Sequence, residues 1–369
     1  MPPASQPLRK LGFLTIGLFD EADPRAGHET TLRIIELGEQ LGFDSAWVRH
    51  RHLQYGISSP VAVLAAASQR TRRIELGTAV IPLGWENPLR LAEDLATVDL
   101  LSGGRLNPGV SVGPPARYDQ VKDALYPDTA DAEDFGYERV RRLLSFVRGE
   151  PATATAATEG FEVFSPRVQP HSAGLAERMW YGGASLRSAR WAGEQGINFL
   201  TSSVIKAEEP QADASGTGTG TTAQPDAAAE PDGGAAAATA RFAALQQAQI
   251  RAFRAHHPAG DRARVSQGLV VIPTDSATPE QRARYEEFAR KRLPRTATPQ
   301  GPGRLLFAPD LVGGSSEIAE ALHAHAGFRE VDEVAFALPF TFEHADYVQI
   351  LTDIATRLGP ALGWRPAAS

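Results

Sequence analysis

The stretch Arg73–Pro115, RIELGTAVIPLGWENPLRLAEDLATVDLLSGGRLNPGVSVGPP, decides the fold of this chain. Its apolar run Ile74–Ile81 stops at Pro82 and Gly84 and reads as a short buried strand. Asn87–Leu101 then reads as an amphipathic helix, with Pro88 near its start, where a missing N–H costs little. Ser102-Gly103-Gly104-Arg105 turns the chain into a second strand, Leu106–Gly113, which ends at Pro114-Pro115. The result is a strand–helix–strand unit whose loops lie at the carboxyl ends of the strands, where parallel α/β proteins place their active sites.

The same alternation extends in both directions. Strands are predicted over Leu11–Phe19, Asp44–His50, Met179–Gly182, Ile197–Ser203, Val265–Ile272 and Glu333–Leu338. Helices are predicted over His28–Gly42, Pro60–Arg70, Phe135–Val147, Ser185–Gln195, Phe242–His256, Pro279–Lys291, Ser316–Ala326 and Ala345–Leu358. Phe161–Val168 is expected to form an added hairpin, and the Pro/Gly-containing Leu293–Gly314 to be a looser stretch able to act as a lid. Glu208–Ala240 is rich in Ala, Gly, Thr, Pro and Asp with almost no large apolar side chain. It reads as a disordered insertion within one domain spanning residues 1–369. About eight strand–helix pairs predict a closed (β/α)8 TIM-type barrel. A doubly wound open sheet is the alternative, weakened because no G-x-G-x-x-G follows the first strand.

Composition narrows the function classes. Of 369 residues, 42% are hydrophobic and 22% charged, with a formal net charge of −7 and no Lys/Arg cluster, so neither nucleic acid nor an anionic membrane is an expected partner. No apolar run approaches the roughly 20 residues of a spanning helix. The first residues lack the order of a signal peptide, so a cytoplasmic protein is expected. There is no cysteine, which excludes disulfides, thiolate metal sites and Cys nucleophiles.

Three clusters could carry chemistry. Tyr181-Gly182-Gly183-Ala184-Ser185-Leu186-Arg187-Ser188 leaves a strand through two glycines and opens a helix, a geometry that suits phosphate through unpaired N–H groups, hydroxyls and Arg187. Ordinary N-capping by Ser185 explains the same residues. His50-Arg51-His52 follows the second strand and could handle a proton, or simply be a polar loop. Two histidines two apart, with no third ligand in view, make a poor metal site, and none is expected. On the fourth strand Asn107, Gly109, Ser111 and Gly113 share one face, small and polar where a barrel stave is normally packed with Val, Ile and Leu. Gly109-Val110-Ser111-Val112-Gly113 also spells the hydrolase elbow, although Pro114-Pro115 stands where that elbow needs a helix.

Four of these segments, GFDSAWVRHRH (Gly42–His52), Arg73–Arg105, GVSVG (Gly109–Gly113) and YGGASLRSARWAGEQGINFL (Tyr181–Leu200), together resemble the bacterial-luciferase-like family of flavin-dependent monooxygenases. The resemblance implies a barrel, paired as a homodimer, that binds reduced FMN across the carboxyl ends of its strands. A separate flavin reductase would deliver the FMN, and O2 and a small organic substrate would complete the reaction. It places the family's non-proline cis peptide at Ala79–Val80, under the flavin ring, and the phosphate segment at Ala184, Ser185 and Ser188, with Gly183 before them also expected to touch the cofactor. The family's namesake has a reactive cysteine followed by a phosphate-binding arginine where this chain has Ser111 and Val112, which leaves Arg187 as the substitute cation. The family's Glu-His-His is here Arg49-His50-Arg51-His52, so acid–base work would fall to His50 or His52. Two further readings keep the frame: an F420-dependent oxidoreductase moving hydride, favoured by Arg187 and Arg190, and a non-catalytic flavin-binding or partner subunit. Leu83, Trp85, Tyr55 and Phe340 suggest an apolar or aromatic substrate lining.

Overall fold

The computed structural model describes residues 7–207 and 235–366. Eight staves carry the fold. They are β1 (Lys10–Thr15), β2 (Ser45–Val48), β3 (Glu75–Thr78, continued by Ile81–Pro82), β4 (Leu106–Asn107, continued by Gly109–Ser111), β5 (Trp180–Gly182), β6 (Asn198–Ser202), β7 (Val265–Gly268) and β8 (Glu333–Ala337). Each pairs in parallel with the next, and β8 pairs with β1, which closes the ring. An open doubly wound sheet is thereby excluded, since it would leave two unpaired edge strands.

The helices between and around the staves are α1 (Pro24–Gln40), α2 (Pro60–Arg70), α3 (Pro88–Ser102), α4 (Tyr118–Leu125), α5 (Tyr137–Val147), α6 (Leu186–Glu194), α7 (Ala235–His256), α8 (Pro279–Arg292), α9 (Pro294–Ala297), α10 (Ser315–Ala324) and α11 (His344–Asp353). In α3 the Asn87 side chain accepts from the N–H of Leu89 and Arg90, and Gly103, at φ 70°, ends the helix in the left-handed conformation.

Staves β3 and β4 break at matching points. The Ala79–Val80 peptide is cis, as the resemblance implied, and Pro108 offers no N–H. Thr78 bridges the gap: its Oγ1 donates to the Gly109 carbonyl at 2.8 Å and accepts from the Gly109 N–H at 2.9 Å. A Cβ at Gly109 would sit 2.2 Å from the Thr78 carbonyl oxygen, so only glycine fits there.

The barrel interior is layered. At the amino-terminal end Arg264 pairs with Glu75 and Glu333, and Lys10 closes on Glu75. Above them the indoles of Trp47 and Trp180 meet edge to face, ring centroids 5.4 Å apart, with the Arg264 guanidinium 4.7 Å from the Trp180 ring. Leu200 and Ala335 complete this inner cluster, and Leu14, Ala79 and Val80 pack on its upper side. A larger apolar cluster fills the space between staves and helices.

Several expectations need correction. Residues 235–240, expected within the disordered insertion, form the start of α7, as their alanine-rich composition favours; residues 208–234 lie outside the described residues. The strand expected over Val265–Ile272 is two strands, β7 and Val271–Pro273. Leu293–Gly314 is not loose. It contains α9, its Leu305–Phe307 pairs antiparallel with Val204–Lys206, and its Leu311–Gly313 pairs with Val271–Pro273. The added hairpin runs from Ala157–Glu159 to Glu162–Phe164, earlier than expected. Helix α4 had no counterpart in the sequence reading.

Candidate active site

The staves end together in a mouth rimmed by residues left half-exposed: Ala79 and Val80 on β3, Ser111 and Val112 on β4, and Gly182, Gly183 and Ala184 after β5. Ala79 and Val80 sit on the Trp47–Trp180 cluster and turn its top into a small apolar ledge. Glycine at 182 is required because a Cβ there would meet Val80 Cγ1 at 2.6 Å. After Ser111 the chain passes Pro114-Pro115 and starts its next helix only at Tyr118, so the hydrolase elbow is absent.

Val48 on β2 pairs with Thr78 on β3, so the residues beyond them remain neighbours along the rim. There His50 is buried, and its Nε2–H donates to the Ser58 carbonyl at 2.7 Å. That bond leaves Nδ1 as a bare lone pair, buried and without a hydrogen-bond partner. His52 lies beside it, ring centroids 4.2 Å apart, and stacks on Trp85 at 4.0 Å. Burial, reinforced by the adjacent His52, pushes His50 down to about 4 against the opposing pull of the Ser58 carbonyl, and burial lowers His52 as well. Both imidazoles are thus neutral near pH 7.

Glu86, which the sequence reading passed over, completes this group. It follows the Leu83–Trp85 turn beyond β3 and brings Oε1 to 3.9 Å from His50 Nε2. Burial, with the Asp94 charge added, pushes its carboxyl up to about 7. The third ligand-type group that seemed missing beside the two histidines is therefore present: donor atoms of His50, His52 and Glu86 all lie within 4.8 Å of one another.

At the head of α6 the two serines serve the helix first. Ser185 Oγ accepts from the Ser188 N–H at 3.1 Å and Ser188 Oγ accepts from the Ser185 N–H at 3.0 Å, a reciprocal capping box. The N-capping explanation accounts for both hydroxyls, which are buried. The Ala184 carbonyl is tied by the Lys206 N–H and by Gln249 Nε2. Arg187 is exposed, its guanidinium 5.8 Å from the Tyr137 ring centroid. A Cβ at Gly183 would meet Phe199 at 2.6 Å and Ser188 Oγ at 2.7 Å, so the turn needs glycine for close packing.

Across the mouth, loops after β1 and β8 enclose a cleft of about 560 Å³ lined by Thr15, Gly17, Phe19, Phe340, Phe342 and Tyr347 among others. Of the four residues expected to line a substrate pocket, Phe340 lines this cleft. Trp85 instead supports His52, Leu83 is fully buried, and Tyr55 is exposed against Phe19.

A closed parallel barrel places its active site among the loops at the carboxyl ends of its staves, where the small, apolar and imidazole-bearing residues of this chain gather. The sequence profile of the luciferase-like monooxygenases matches residues 11–330, and the chain belongs to that family. It is 33% identical over 149 residues to 4-hydroxyprotoasukamycin monooxygenase of Streptomyces nodosus subsp. asukaensis, a match covering 40% of this chain and 39% of that protein. The chain spans 36–55% of the length of the first curated relatives it matches. Two solved structures share the fold over nearly the whole chain. One is the oxygenating constituent of 3,6-diketocamphane monooxygenase of Pseudomonas putida, in complex with FMN (TM-score 0.61, 14% identity, 96% of this chain and 99% of that one). The other is the coenzyme F420-dependent tetrahydromethanopterin reductase of Methanopyrus kandleri (TM-score 0.59, 16% identity, 97% and 100%). Among the described residues no helix is long and apolar enough to cross a membrane.

Proposed function

We propose that the chain is a flavin-dependent monooxygenase that uses reduced FMN and O2 to oxygenate a small, largely apolar organic substrate. The observation that carries this reading is the ledge Ala79–Val80, half-exposed above the Trp47–Trp180 pair and next along the rim to two neutral imidazoles. A flat apolar ledge of small side chains fits one face of a fused aromatic ring. Bound reduced flavin would supply the electrons for O2 chemistry.

In this reading Ala79, Val80 and Ser111 support the ring. Gly183, Ala184, Ser185, Arg187 and Ser188 hold the phosphate, with Arg187 contributing the charge, since the serine hydroxyls already cap α6. His50 and His52, unprotonated near pH 7, accept a proton from substrate. The aromatic cleft beyond β1 and β8 takes the substrate body. A reductase that supplies the flavin and a second copy of the chain belong to the same reading.

Anaerobic FMNH2 mixed with the protein and then with O2 tests it. Reoxidation followed at 450 nm is expected to be slower than in buffer; superimposable traces overturn the reading. The exposed pair Arg187 and Arg190 on α6 favours a second reading, hydride transfer with the anionic-tailed F420. Titrating both cofactors separates the two, because F420 binding without FMN binding replaces the first by the second.

A further inference from the structure

We propose that His50, His52 and Glu86 form a binding site for a divalent transition-metal ion of the zinc class at the barrel mouth. The groups come from two separate loops, His50 and His52 from the end of β2 and Glu86 from the turn after β3. The stack of His52 on Trp85, the residue before Glu86, brings the loops together.

What distinguishes this cluster is that it presents electron pairs and lacks a cation to receive them. The His50 side chain is 0% exposed, and its Nε2–H is used by the Ser58 carbonyl. A ligating histidine is oriented in just this way, one nitrogen donating to a carbonyl while the other offers its lone pair. His50 Nδ1 and His52 Nε2 are both buried without a hydrogen-bond partner. Among the described residues Glu86 makes no ion pair with any Lys or Arg. The Arg139 guanidinium donates to the Glu86 backbone carbonyl and is paired with Glu133. Glu86 Oε1 faces His50 on its Nε2 side, at 3.9 Å, and a buried ring nitrogen left without a partner is costly unless a cation or a proton meets it.

The spacing suits an ion. One ligand-type atom of each residue lies within 4.8 Å of the other two, and ligands about 2.0–2.2 Å from a tetrahedral zinc stand roughly 3.4 Å apart, so binding through His50 Nδ1 calls for side-chain rotation of Glu86 and His52 toward it. Two imidazoles and one carboxylate select zinc-class metals over calcium or magnesium, which prefer all-oxygen shells. Glu86 is partly exposed, so an ion can enter and a fourth position stays open to water. An occupied site takes the imidazole lone pairs and so silences proton transfer there.

The chain, stripped with EDTA and desalted, is titrated with Co2+ and then with Zn2+. The expected result is one Co2+ per chain with a visible d–d spectrum of low coordination number, displaced by Zn2+. Glu86→Gln and His52→Gln should each weaken Co2+ affinity by roughly tenfold or more, whereas His256→Gln, on α7, leaves it unchanged. With no cysteine in the chain, thiolate coordination cannot account for the signal. Absence of stoichiometric Co2+ binding, or binding that survives both site variants, overturns the proposal. Should a variant fail to fold by far-UV circular dichroism, X-ray absorption of the wild-type zinc complex decides: two imidazole scatterers support the site, and fewer overturn it.

Discussion

The imidazole of His52 lies flat on the indole of Trp85, ring centroids 4.0 Å apart and planes 15° from parallel. The contact clamps the loop after β2 to the turn after β3. A double-mutant cycle of His52→Ala and Trp85→Ala should therefore give a coupling of about 0.5–1.5 kcal/mol in urea unfolding. Additive single-variant effects would show that the stack carries no energy.

Gly77 stands where a Cβ would lie 2.2 Å from the Trp47 ring. Gly77→Ala should cost about 1–3 kcal/mol by overpacking and change the near-UV circular dichroism of the tryptophans. Gly103→Ala, at φ 70° with open space around it, should cost about 1 kcal/mol and leave that spectrum alone. Equal spectral changes in both variants would refute the assignment of Trp47 to the inner layer.

Asp99 is fully buried on α3 and accepts from Ser172 Oγ at 2.6 Å, from Arg178 at 2.7 Å and from the Leu106 N–H at 3.2 Å. Asp99→Ala strands all three donors, and a loss of about 3–5 kcal/mol is expected. Guanidinium unfolding measures it; a loss below 1 kcal/mol contradicts the network.

His325 sits at the end of α10, its Nε2 buried without a partner. Burial, with Arg329 nearby, pushes it down to about 4 from the ordinary histidine value of 6.5. A depressed pKa contributes stability that is complete above about 6.5 and lost as pH falls through the folded value. The Tm of the wild type should thus fall more steeply between pH 6.5 and 4 than that of His325→Gln. Parallel Tm curves would mean that the ring is not buried neutral.

Arg187→Glu tests the proposed phosphate anchor. Replacing the cation at the head of α6 by an anion should weaken FMN binding at least roughly tenfold, by about 1.4 kcal/mol or more. Fluorescence quenching of FMN reads the affinity, and an unchanged Kd moves the anchor elsewhere.

The closed barrel was legible because short strand-like runs, most of them apolar, alternate with amphipathic helices and end in turn residues. The mouth was less so. His50, His52 and Ser111 follow or end strands in plain view, whereas Glu86 is brought to the histidines by the parallel pairing of β2 with β3, which no local pattern reports. Its position just beyond a strand on the same rim was the available signal. The salt-linked layer had a similar clue. Lys10, Glu75 and Glu333 each open a stave and Arg264 directly precedes one, a regularity visible only when the strands are compared. Helix α4 escaped because it buries only Val121, too little to impose an apolar period.

That layer has a consequence for how the molecule works. With Arg264 bridging two carboxylates beneath the crossed indoles, the floor of the cylinder is stoppered among the described residues. Under the proposed function, coenzyme, gas, reactant and finished product would share one doorway, and the order in which they queue there would become part of the kinetics.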